Sequence, residues 1–82
     1  PTADRALEGV LREADAAMAA GRLAEAGRVL DIGLVRSPDS PALWVAIARL
    51  RLRGGEHLAA AQAANRALAL GPDYPPALLL QA

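Results

Sequence analysis

His57 is the only histidine in this chain of 82 residues, and it follows a pair of glycines. A lone imidazole does chemistry only beside a nucleophile, or with further ligands around a metal. There is no cysteine, which removes thiol nucleophiles, thiolate metal sites and disulfides together. The hydroxyls of Thr2, Ser37, Ser40 and Tyr74 all fall at expected helix caps or turns, where they serve the backbone. Glu8, Glu13 and Asp15 cluster along one stretch with Arg12 among them, which reads as a solvated face. Arg49, Arg51 and Arg53 invite a nucleic-acid reading, but steps of two on a helix turn by about 200°, so only Arg49 and Arg53 share a face. No catalytic constellation emerges, and we expect no enzyme, cofactor or metal.

Composition narrows the classes further. Nine basic residues balance nine acidic ones, so no global field draws the chain to nucleic acid or to an anionic membrane. Only 2% of residues are aromatic, too few for base stacking. No helix sets an arginine-rich face against bulky apolar groups, as a membrane-surface helix does. No apolar run approaches a membrane span, and the start PTADRALEG lacks a signal pattern. The compartment stays open between cytoplasm and periplasm. All nine basic residues are arginine, and with so much alanine, leucine and glycine the expected source is a GC-rich bacterium. Pro1 in place of methionine suggests residues upstream.

The elements that carry these residues are helices throughout. Ala3, Ala6, Leu7, Val10, Leu11, Ala14, Ala17 and Met18 recur at three- and four-residue steps, one helical face. Thr2 is the expected cap of this helix and Gly21 its stop. A second helix is expected over about 22–36, closed by Ser37-Pro38-Asp39-Ser40. Ser40 followed by Pro41 is a start signal, a capping hydroxyl before proline at the first helical position. The third helix, 41–53, is apolar nearly all round, as a central helix is. Gly54-Gly55 ends it, with Gly55 expected at positive φ. A fourth helix over 56–70 closes at Gly71-Pro72, and a fifth segment opens at Pro75.

The chain then repeats itself at a spacing of 34 residues. Gly21 falls on Gly55, Ala26 on Ala60, Leu34 on Leu68, Pro38 on Pro72 and Asp39 on Asp73, while Val10, Trp44 and Leu78 share a large apolar register. Helix–turn–helix repeats of about 34 residues resemble the tetratricopeptide family. Trp44, Ile47 and Ala48 resemble the aromatic, leucine and glycine of that family's first helix. Gly55, Ala60, Ala67 and Pro72 resemble its turn glycine, packing alanines and final proline. The resemblance implies an all-α solenoid of stacked helix pairs, with repeats at 7–40 and 41–74 and a partial third at 75–82. The chain departs from the pattern at Glu13, where the family has leucine, at Arg51, where it has tyrosine, and at Ala64, where it has an aromatic. The expected core is therefore built of alanine and leucine, with Trp44 as its anchor.

The resemblance also implies a function. In such arrays the first helices of successive repeats line a concave groove that receives peptides or partner helices. Here that groove would present Leu11, Arg12, Asp15 and Ala19, then Val45, Ala46, Arg49, Leu52 and Arg53. An apolar strip flanked by guanidinium groups suits a protein segment with apolar anchors and an acid. The family's carboxylate clamp, built of lysine and asparagine, has Leu11, Asp15 and Ala46 at its positions and is absent. The alternative is a spacer or self-association element of a larger bacterial protein. Leu78, Leu79 and Leu80 point in three directions on one short helix, so we expect either a longer native array or a homodimer through that end.

Overall fold

The computed structural model describes residues 2–71, with side chains from residue 5 onward. The expected third repeat, with Tyr74 and the leucines at 78–80, lies outside the described residues. Four helices follow one another: α1 (Thr2–Ala19), α2 (Leu23–Arg36), α3 (Pro41–Arg53) and α4 (His57–Leu70). No strand occurs among the described residues. The fold is an all-α array of helix–turn–helix repeats.

The two hairpin turns are built alike, 34 residues apart. Gly21 has φ 79° and Gly55 φ 78°, a left-handed conformation that glycine adopts without steric cost. Around Gly21, the Gly21 N–H donates to Met18 O at 3.0 Å and the Arg22 N–H to Ala17 O at 2.8 Å. Around Gly55, the same pair joins Gly55 to Leu52 at 3.0 Å and Glu56 to Arg51 at 2.8 Å. Each turn thus satisfies two carbonyls that a helix end leaves orphaned. The longer link between repeats starts α3 as its sequence predicts: Pro41 is the first helical residue and Ser40 Oγ accepts from the Leu43 N–H at 3.4 Å. Thr2 already belongs to α1, so the helix begins at or before the residue expected to cap it.

α3 is the middle of the molecule, touching α1, α2 and α4, whereas α4 touches only α3 among the described helices. The larger core joins Ala14, Ala17 and Met18 of α1, Ala26 and Leu30 of α2, and Leu43, Ala46 and Leu50 of α3. Two smaller clusters hold α4 to α3, one through Val45 and Ala67, the other through Ala48, Ala63 and Ala64. Small side chains let the helices approach closely. At Gly33 a Cβ would lie 2.9 Å from Val10 Cγ1 and 3.0 Å from Leu43 Cδ2, so even a methyl group there would force its neighbours to move.

Trp44 is a half-buried anchor, not a fully buried one. Its ring packs on Val45 and Ala67 and on Ala48, Ala63 and Ala64. The indole Nε1–H donates to Pro38 O at 3.0 Å, tying the linker between repeats to α3. Ala64, where the family pattern has an aromatic, is buried in the cluster that the indole packs against.

Candidate functional site

The three arginines of α3 leave the helix in different directions. Arg51 reaches across the turn and sets Nη1 3.1 Å from Glu56 Oε2. Arg53 turns the other way and sets Nη1 3.2 Å from Met18 O, near the end of α1. Arg49 is exposed and makes no ion pair or hydrogen bond among the described residues. The separation of Arg51 from the other two follows from helical geometry. Its destination resolves the departure from the expected tyrosine: an exposed ion pair across the hairpin replaces a ring.

Of the residues expected to line the groove, Arg12, Asp15, Ala19, Arg49, Leu52 and Arg53 are exposed and Leu11 is half-buried. Val45 and Ala46 are corrections. Val45 is only 2% exposed and packs with Ala67, Trp44 and Leu68. Ala46 is buried against α1 in the larger core. Both lie at helical steps that fit the exposed strip, but a central helix is covered from several sides and loses those positions to its neighbours.

The repeat register sorts the remainder. Arg12 occupies in α1 the register that Ala46 occupies in α3, and Ala46 is the position that packs against the preceding repeat. Arg12 therefore stands on the flank of α1 away from α3. Asp15 and Arg49 share a register, as do Ala19 and Arg53, and Met18 and Leu52. Met18 is 4% exposed inside the larger core, whereas Leu52 is 41% exposed. Asp15, Ala19, Arg49 and Arg53 are thus exposed in matching registers of α1 and α3, while Leu52 stands on the flank of α3 whose register is buried at Met18 in the first repeat.

His57 is exposed at the start of α4. The carboxylates Glu8, Glu13 and Asp15 are exposed on α1, as a solvated face requires. No cluster of metal-ligating side chains occurs among the described residues, and none of their helices is long and apolar enough to cross a membrane. One feature escaped the sequence: the tie from Arg53 to Met18, two residues 35 positions apart. Met18 O already accepts from the Gly21 N–H at 3.0 Å, and Arg53 is a second donor to it from the next repeat, a proximity that residue type alone does not announce.

Stacked helix hairpins with matching glycine turns define a helical repeat protein. A family model described as a tetratricopeptide repeat matches residues 11–75, and the chain belongs to that family. Comparisons with curated proteins and with solved structures return no match. Tetratricopeptide repeats generally mediate protein–protein interaction and typically act as non-catalytic scaffolds.

Proposed function

We propose that this chain is a non-catalytic binding module whose α1–α3 face receives a protein segment carrying apolar anchors and an acid. The observation that supports it most is Arg49, an exposed guanidinium beside the exposed Leu52. Arg53 extends the positive edge of the same face, although one of its donors already serves Met18 O. A guanidinium presents paired donors to a carboxylate, and Leu52 offers an apolar seat next to it. Asp15 sits one repeat away in the register of Arg49, so the field along the groove is graded and favours a segment whose acid lies over α3.

The test is a selection from a random peptide display library on the immobilised chain. Recovered peptides should combine acidic and bulky apolar residues and should lose about tenfold or more in affinity on Arg49→Glu. Peptides without an acid, or indifferent to that change, would refute the reading.

A second reading, self-association, is favoured by Leu52. Its register mate Met18 is covered by the following repeat, so Leu52 is the seat that the first helix of a further repeat would cover, whether this chain or a second copy supplies it. Light scattering across a concentration series separates the two: a mass above one chain that falls with Leu52→Ser supports self-association.

A further inference from the structure

Between the start of α1 and the end of α2 lies a crevice of about 150 Å³, lined by Ala6, Leu7, Val10, Gly33, Arg36 and Ser37. None of these residues is among those expected to line the groove of α1 and α3. Its origin can be traced through the repeat. The same registers in the second repeat carry Trp44 for Val10, Ala67 for Gly33 and Leu70 for Arg36. Trp44 and Leu70 give the second repeat apolar bulk where the first has the smaller Val10 and the polar Arg36, while the space of the absent Gly33 methyl is already taken by Val10 and Leu43. Leu30 stands where Ala64 stands and takes back part of the lost volume. What it does not fill is the crevice.

The register also indicates the occupant. In the second repeat this region is built around an indole resting on small residues of the following helix. An apolar cavity of this volume admits a single six-membered ring. The mouth adds a charge: Arg36 is exposed in the last turn of α2, and neither it nor the Ser37 hydroxyl makes a hydrogen bond or ion pair among the described residues. A guanidinium and a hydroxyl beside an apolar slot suit a carboxylate one or two atoms from a ring.

We infer that the first repeat holds a binding site for a small aromatic carboxylic acid, its ring seated against Leu7 and Val10 and its carboxylate on Arg36 and Ser37. This site is separate from the peptide-binding face, and each stands or falls without the other.

The test uses the whole chain, with phenylacetate and toluene as probes and the methyl signals of Leu7 and Val10 followed by NMR. Phenylacetate should shift both methyls saturably, and Arg36→Gln should weaken it about threefold to fivefold while leaving toluene unchanged. Val10→Phe should abolish both by filling the slot. If that variant loses its helical circular-dichroism signal, Ala6→Leu at the rim provides the same block. Absence of saturable shifts in the wild type, or shifts that survive the blocking variant, overturns the site. Toluene binding as tightly as phenylacetate overturns the role given to Arg36 and Ser37.

Discussion

Arg53 of α3 places Nη1 3.2 Å from the carbonyl oxygen of Met18, near the end of α1. The first helices of the two repeats are thereby joined by a charged donor to a carbonyl beside the turn, and not by packing alone. Removing that donor with Arg53→Met keeps most of the apolar stem. The variant should lose about 1 kcal/mol, the order of a single hydrogen bond from a charged, partly exposed group. Urea unfolding should show it as a lower midpoint, with faster amide exchange at the end of α1.

The two turn glycines should respond alike. Gly21→Ala and Gly55→Ala each put a Cβ on a left-handed backbone, with no neighbouring atom within 4 Å to relieve or worsen the effect. Each should cost about 1–2 kcal/mol. Gly27→Ala is the internal control. It sits within α2, and its new methyl would lie 3.6 Å from Leu50 Cδ2, an ordinary contact. Helix propensity then dominates, and thermal melting should show a gain of about 0.5–1 kcal/mol.

Trp44→Ala should destabilise by about 2–3 kcal/mol, below the 3–5 that emptying a fully buried aromatic site costs, because the ring is only half-buried. Trp44→Phe should cost less, mainly the bond from Nε1 to Pro38 O. Circular dichroism on urea titration measures both, since the variants lose the chain's single tryptophan. An unchanged midpoint in Trp44→Ala would remove the indole from its role as anchor.

The Arg51–Glu56 pair, 3.1 Å apart with both side chains about half exposed, is expected to contribute little. Solvent and salt screen such pairs to roughly 0–1 kcal/mol. A double-mutant cycle with Arg51→Gln and Glu56→Gln should return a coupling in that range that fades in about 1 M salt. A coupling well above it would mean that the turn depends on the pair more than on Gly55.

These turns and helix ends were the legible part of the sequence, because backbone geometry restricts them. Gly21, Gly55 and the Ser40-Pro41 start each announce a φ angle or a cap through residue type alone, and all three adopt it. The face of α3 was less legible. A three- and four-residue step groups Val45 with Arg49 and Leu52, but does not reveal that α4 covers Val45. Periodicity tells which residues share a side; only the neighbours decide how much of that side stays open. Arg51 and Arg53 were likewise readable as diverging, whereas their partners Glu56 and Met18 O lie across a turn and across a repeat.

Binding of an acidic segment with apolar anchors to the α1–α3 face can be followed in a single titration. A library-selected peptide is added to isotopically labelled chain and the amide shifts are mapped by NMR. Saturable shifts should centre on Asp15, Ala19, Arg49, Leu52 and Arg53, and binding should be about tenfold weaker in Arg49→Glu. Shifts centred instead on the exposed Ile32 and Val35 of α2, or an affinity untouched by Arg49→Glu, would contradict it.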